Sequence, residues 1–150
     1  MRNIKRKINR TILPLIVLIA LSGFAMACER KAPVDGKAGT VRVAIITGET
    51  TQNHTTEVPA SSTVLDAMQN LQTSGALTFG MQGAGTEAMI DAINGTRNGE
   101  DGPYWIYAVN GKLADRGVGL LSANGGDQIR WCYLSYEERE TCAQTTDTAN

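Results

Sequence analysis

The stretch best suited to chemistry runs from residue 103 to 119 and reads PYWIYAVNGKLADRGVG. It holds three of the six tyrosine and tryptophan residues of the chain, Tyr104, Trp105 and Tyr107. Aromatic rings stack on flat or apolar molecules. Arg116, in the loop that follows, is the best candidate for a polar contact. A binding site for a small molecule is therefore one explanation of this stretch.

Two explanations fit the alternation of this stretch. Successive side chains of a strand point to opposite faces, so Trp105 and Tyr107 face one side and Tyr104 faces the other. In the first explanation, one face packs on a helix and the other forms a small core under the loop of residues 112–123. In the second, one face is a ligand surface with the loop as its rim. The binding candidates are then Tyr104, Trp105, Arg116, Gly117, Val118 and Gly119. Of the two residues, we expect Trp105 to belong to the core and Tyr104 to contact the ligand. Both explanations stay open.

Catalytic and metal-binding patterns are missing from the sequence. His54 is the only histidine, so a nucleophile has no evident base, and no Cys-x-x-Cys pair occurs. The glycines of GMQGAG, residues 80–85, precede a predicted strand, whereas a phosphate-binding loop opens a helix. The sequence predicts a protein that is not an enzyme and that holds no metal.

The first 28 residues are typical of an export signal. MRNIKRKINR carries five cations and no acid, and an apolar run covers residues 12–21. Ala25, Met26 and Ala27 then precede Cys28, and this ending resembles a bacterial lipobox. The resemblance implies a lipid on Cys28 and, because Glu29 rather than Asp follows, the outer membrane of the cell envelope. An ordinary signal peptide and an uncleaved anchor are the alternatives.

Charge and cysteine content fit an extracytoplasmic protein. After Cys28 the chain has nine basic and 15 acidic residues, a net charge of −6, and no basic run after residue 31. Nucleic acid is therefore not expected as a partner, since phosphate binding needs clustered cations. Cys132 and Cys142 remain as an even pair in an oxidising compartment, which predicts a disulfide. Two free thiols are the alternative.

The elements that position these residues follow from periodicity and turn signals. We expect a signal peptide at 1–27, a polar tether at 28–39, one folded domain at 40–136 and a polar tail at 137–150. Strands are predicted at 40–48, 54–60, 76–83, 87–95, 104–111 and 127–134. A helix is predicted at 61–75, capped by Ser61 or Ser62 and ended by Gly75. Its apolar face comprises Val64, Leu65, Met68 and Leu71. The stripe of Ile129, Trp131 and Tyr133 could pair with that of residue 105 across the sheet.

This order of elements predicts an α+β fold, a β-grasp-like mixed sheet with one main helix packed on one face. The segments STVLDAMQNL, MIDAING, GPYWIYAVNGKLADRGVG and NGGDQIRWCY resemble, in order and spacing, the transcobalamin-like C-terminal domain family. These bacterial domains are similar to the β-domain of the cobalamin carriers intrinsic factor and transcobalamin. The resemblance covers residues 41–134. It departs from the family at Leu120 and Leu121, where an acid and an aromatic residue are common.

The resemblance implies a β-grasp domain that binds a soluble ligand, with a corrinoid as the first ligand to consider and no other cofactor. Together with the lipobox it predicts a lipid-anchored ligand-binding protein of the cell envelope. The alternative is a module on the cell surface that binds a protein or a glycan and has no small-molecule ligand.

Overall fold

The alternating, β-branched sequence after residue 39 forms the first strand of a five-stranded sheet. In this computed structural model, which describes residues 36–144, the elements run from Gly39 to Ala143. The predicted signal peptide, the lipidation site Cys28, the tether up to residue 35 and the last six residues of the chain lie outside the described residues.

Eight strands and two helices make up the described part of the chain. The strands are β1 Gly39–Thr47, β2 Thr50–Val58, β3 Phe79–Gln82, β4 Met89–Ile93, β5 Thr96–Arg97, β6 Tyr104–Val109, β7 Lys112–Leu113 and β8 Gln128–Leu134. The helices are α1 Val64–Thr73 and the short α2 Glu140–Ala143. A 3-10 turn, Gly85–Glu87, precedes β4.

The large sheet has the strand order β2-β1-β8-β6-β7, and a second sheet has the order β3-β4-β5. The central pair β1 and β8 is parallel, whereas the other neighbours in the large sheet are antiparallel. A mixed sheet with a hairpin at its edge and one main helix on one face is the predicted β-grasp-like α+β architecture, which is confirmed.

Strand β2 begins four residues earlier than predicted. The turn at Gly48, with φ of 58°, returns the chain at once into Thr50. The residues TTQN that begin β2 are exposed and polar on both sides, so they carry no alternation that sequence reasoning could detect.

Helix α1 begins at Val64 and is capped by Thr63, not by Ser61 or Ser62 as predicted. Thr63 has an extended backbone, its hydroxyl accepts from the Asp66 N–H at 3.3 Å, and the Asp66 carboxylate accepts from the Thr63 N–H at 2.6 Å. This reciprocal capping box excludes Ser61, which has φ of 64°. Gly75 ends the helix as predicted, because its φ of 75° lets Ala76 donate to the Leu71 carbonyl at 2.9 Å.

The main core lies between α1, the second sheet and one face of the large sheet. The predicted apolar face of α1 is buried. It joins the same cluster as Val41 and Val43 of β1 and Ile129 and Trp131 of β8.

The opposite face of the large sheet carries a smaller core of Ala108, Cys132 and Cys142, with Ile46 and Leu113 packed against it. In one of the two explanations that the sequence left open, a core on the second face lies under the loop 112–123, whereas in the structure the residues after β8 cover it. Helix α2 contacts β6, β7 and β8 on this face, and the predicted Cys132–Cys142 disulfide is present, with an S–S distance of 2.02 Å. No helix among residues 36–144 is long and apolar enough to cross a membrane.

Candidate ligand-binding clefts

Strands β6 and β8 bring four aromatic rings together on the face of the large sheet that carries the main core. Their antiparallel register pairs Trp105 with Tyr133 and Tyr107 with Trp131. The ring centroids of the first pair are 5.2 Å apart, and those of the second are 4.7 Å apart and stacked. The predicted pairing of the two stripes across the sheet is confirmed.

Two elements that are distant in sequence cover these rings. Strand β4 contacts β6. The loop after β7 is tied to α1, because the Leu65 N–H donates to the Val118 carbonyl and the Val64 N–H donates to the Leu121 carbonyl, both at 2.9 Å. Helix α1 itself contacts β2, at the other end of the sheet. The rings therefore lie beside the helix, under a cover made of two separate pieces.

A cleft of about 360 Å³ opens along this cover, and we call it the aromatic cleft. Its lining comprises Thr86, Glu87, Ala88, Met89, Ile90, Trp105, Tyr107, Arg116, Gly117, Val118 and Trp131. The cleft brings together four of the six candidates chosen from the sequence: Trp105, Arg116, Gly117 and Val118.

Hydrogen bonds to backbone groups fix the orientation of three of the four rings. The Trp105 indole Nε1–H donates to the Thr96 carbonyl at 2.8 Å. The Tyr107 hydroxyl donates to the Arg116 carbonyl, and the Tyr133 hydroxyl donates to the Arg97 carbonyl, both at 2.6 Å. The rings are therefore held in place before any ligand arrives.

Burial raises the pKa of the Tyr107 hydroxyl, and the carboxylate of Asp115 raises it further. Ionisation would place a negative charge in apolar surroundings and near a second negative charge. Tyr107 consequently stays neutral at physiological pH and keeps its bond to Arg116.

The candidates in the loop have different positions. The Arg116 side chain is exposed at the mouth of the aromatic cleft, whereas Val118 is only 2% exposed and belongs to the core. Gly119 lies outside the lining, and a Cβ there would stand 1.9 Å from the Gly85 carbonyl oxygen. A side chain at Gly119 would therefore push the loop away from the 3-10 turn that forms the opposite wall.

A second opening of about 380 Å³ adjoins the first, and we call it the polar cleft. Its lining comprises Gln82, Met89, Asp91, Arg97, Asn98, Gly99 and Tyr104. The Asp91 carboxylate accepts from the Gln82 amide at 3.2 Å and lies 3.8 Å from the Arg97 guanidinium. Met89 is 54% exposed and lines both clefts.

Tyr104 lines the polar cleft rather than the aromatic cleft. It is half-buried, and its hydroxyl donates to the Glu100 carbonyl at 3.2 Å. The structure thus separates Tyr104 from the other candidates while leaving it at an open surface.

Sequence reasoning missed the wall contributed by β4 and the 3-10 turn, including Met89, and it did not name Trp131 as a site residue. No local signal in the segment MIDAI marks Met89 as a cleft residue, because its exposure on β4 is a property of the folded sheet. Among residues 36–144, no three histidine, cysteine or acidic residues lie close enough to hold a metal ion.

Comparisons with known proteins relate the domain to a family and a fold. The model of a family described as a domain of unknown function, DUF4430, matches residues 61–135, which include every residue that lines either cleft. A comparison with curated proteins finds no match.

Among solved structures, haptocorrin in complex with Cbi is similar, with a TM-score of 0.54 and 21% identity. The match covers 67% of this chain and 26% of the haptocorrin chain, so this chain corresponds to about a quarter of that protein. Haptocorrin is of the transcobalamin family, which agrees with the resemblance found in the sequence.

A second structure, a protein of Ruminococcus gnavus ATCC 29149 that is proposed to bind metal, has a TM-score of 0.48 and 11% identity. That match covers 65% of this chain and 97% of the other.

Proposed function

Since this chain belongs to the DUF4430 family, whose model includes both clefts, we propose that it is a non-enzymatic binding protein that holds a small molecule in the aromatic cleft. The observation that carries the proposal is the convergence of Trp105, Tyr107 and Trp131 in an open cleft whose lining also includes Arg116. Small-molecule sites are typically clefts of about 300–1,000 Å³ with an apolar lining and few polar groups.

A corrinoid is the first ligand to test. The supporting observations are the shared fold with part of haptocorrin, whose structure holds Cbi, and the resemblance of the ring-bearing strand to the transcobalamin-like domains. A complete corrinoid with its amide side chains is larger than the aromatic cleft, so the cleft would cover one edge of it. Tyr104 and the polar cleft would then lie beside the part that projects beyond Met89.

The test is a titration of the purified chain with cobalamin and with cobinamide, followed by tryptophan fluorescence. Free N-acetyltryptophanamide is titrated in parallel, because corrinoids absorb light and would dim any fluorophore. We expect saturable quenching in the wild type and its loss in Arg116→Ala and Tyr104→Ala. Arg42→Ala is the matched control, because Arg42 is exposed on β1 and lines neither cleft.

A binding surface for a protein or a glycan is the second candidate. Met81, Met89 and Leu120 are 41%, 54% and 41% exposed, so their side chains can supply apolar contacts to a partner. The absence of any saturable response at millimolar corrinoid would reject the corrinoid and leave this second function as the better explanation.

We further propose that the mature protein is anchored in the bacterial envelope, at the outer membrane, through a lipid on Cys28. The sequence before Cys28 supports this, and the Cys132–Cys142 disulfide fits an oxidising compartment. A diacylglycerol together with an N-acyl chain supplies the two membrane signals that stable anchoring requires. We expect Cys28→Ala to abolish the lipid mass increment and to leave the chain soluble or unprocessed. Unchanged membrane partition without that increment would contradict the proposal.

A further inference from the structure

The two tryptophans of the chain differ in what their indole N–H groups contact. The Trp105 Nε1–H donates to the Thr96 carbonyl. The Trp131 Nε1 atom is buried, and it has no hydrogen-bond acceptor among the described residues. Trp131 as a whole is 2% exposed and lines the aromatic cleft.

A buried N–H group without an acceptor is unfavourable, because it has lost its hydrogen bond to water and gained none in return. Two further buried atoms share this condition, His54 Nε2 and Arg130 Nε, but neither residue lines a cleft. Trp131 thus combines an unsatisfied donor with a position at a candidate binding site.

The other polar groups of the aromatic cleft are committed or exposed. The Tyr107 hydroxyl and the Trp105 indole are bound to backbone carbonyls. Glu87 and Arg116 are exposed to solvent at the rim. Among the buried side-chain polar atoms of the residues that line this cleft, Trp131 Nε1 is therefore the one without a hydrogen-bond partner in the described part of the chain, and it is a donor. Tyr107, stacked on Trp131 with an angle of 25° between the rings, holds the indole in its plane.

We infer that Trp131 Nε1–H is a recognition donor, and that the ligand of the aromatic cleft carries a neutral hydrogen-bond acceptor, a carbonyl or carboxamide oxygen, beside a flat apolar part. The acceptor is neutral because a charged oxygen would lose its hydration at the buried floor. This inference rests on the proposed function and adds the chemistry of the ligand to it.

The test uses the complete chain, labelled with ¹⁵N and reconstituted in lipid nanodiscs. Since the chain has two tryptophans, its spectrum has two indole N–H signals, which Trp105→Phe and Trp131→Phe assign. The probes are benzamide, which has a carboxamide oxygen, and toluene, which has a similar ring and no acceptor. Cobinamide, whose rim carries carboxamides, is the larger probe.

We expect benzamide and cobinamide to move the Trp131 signal saturably downfield, and toluene to leave it without that shift. Trp131→Phe keeps an aromatic ring at the floor and removes the donor together with the five-membered ring that carries it. Because the lost volume affects both probes, the comparison is between them: benzamide binding should weaken relative to toluene binding by about 2- to 13-fold, the factor for one net hydrogen bond. Trp105→Phe serves as the stability control, because it removes an N–H that already has a protein acceptor.

The outcomes separate this inference from the proposed function. Saturable binding of benzamide or cobinamide without a downfield shift of the Trp131 signal would overturn the inference and leave small-molecule binding intact. Equal preference for benzamide over toluene in Trp131→Phe and in the wild type would overturn it as well. No saturable binding of benzamide, toluene or cobinamide would contradict both. Because the signal is read in the wild type, the test does not depend on the folding of a variant.

Discussion

The two faces of strands β6 and β8 are closed in different ways. On one face, Trp105, Tyr107 and Trp131 lie under a second sheet and a loop, and the cover leaves an open cleft. On the other face, the small residues Ala108 and Cys132 lie under the residues that follow β8, which a disulfide holds in place.

The difference follows from the residues available to each face. The large aromatic rings provide enough apolar contact and hydrogen bonding to hold the second sheet and the loop against them. Because these two elements are separate, they leave a gap over the rings, which is the aromatic cleft. Small side chains bury little area, so the short polar segment above them needs a covalent link. The face with the aromatic rings, which we call the aromatic face, is therefore suited to binding. The face that the disulfide closes, which we call the linked face, contributes stability.

The largest loss of stability is expected from a substitution in the aromatic face. Trp105→Ala removes a side chain that is 7% exposed, together with its bond to Thr96. We expect the free energy of unfolding to fall by about 3–5 kcal/mol, as for other buried tryptophans, measured by urea denaturation. Tyr136→Ala is the control, because Tyr136 is 61% exposed and lies in neither cleft. A loss as small as that of the control would mean that Trp105 is not core.

A smaller effect is expected from opening the linked face. The disulfide closes a loop with a sequence separation of 10, so the double variant Cys132→Ser with Cys142→Ser should lose about 2–3 kcal/mol of stability in the chain-entropy model. Ligand binding in the aromatic cleft should not change, since the two faces are separated by the sheet. Loss of corrinoid or benzamide binding in a folded double variant would show that the faces are coupled.

The oxidation state of this pair can be measured directly. In a chain that carries Cys28→Ser, thiol titration with Ellman's reagent after denaturation without reductant should detect no free thiol, and two should appear after reduction. Two free thiols in the unreduced chain would contradict the disulfide, and with it the difference between the two faces.

The parts of the fold that the sequence could predict depend on local signals. The strand stripes, the buried face of α1 and the stop at Gly75 each follow from periodicity or from a single special residue. The Cys132–Cys142 disulfide followed from parity and compartment. Failures occurred where local signals compete: three hydroxyl residues precede α1, and only Thr63 has an acid at the right spacing for a capping box.

The clefts were only half predictable for a different reason. Their floor and one rim come from the aromatic strand and its loop, which are conspicuous in composition. The other wall comes from β4 and the 3-10 turn, which reach the rings through contacts between residues far apart in sequence. No periodicity in MIDAI encodes that contact. Gly119 was chosen as a ligand contact, yet the Cβ of any other residue there would point at the Gly85 carbonyl of the opposite wall.

The smallest loss of stability is expected from removing one hydroxyl group, that of Tyr107, from the aromatic face. Tyr107→Phe keeps the ring that stacks on Trp131 and removes the hydroxyl that donates to Arg116. At pH 7 we expect a loss of about 0.5–1.5 kcal/mol, the net value of one hydrogen bond. Tyr136→Phe, at an exposed tyrosine, should cost less.

The dependence on pH identifies the source of that loss. Burial, assisted by Asp115, raises the pKa of Tyr107 in the folded state. The folded chain therefore keeps this proton after the unfolded chain has begun to lose it. The contribution of Tyr107 is complete below the usual tyrosine pKa of about 10 and declines as the pH rises above it. Urea denaturation at pH 7, 9 and 10.5 should show the advantage of wild type over Tyr107→Phe constant between the first two values and smaller at the third. An advantage that grows at pH 10.5 would mean that the hydroxyl ionises more easily in the folded chain, which would contradict its burial under the loop.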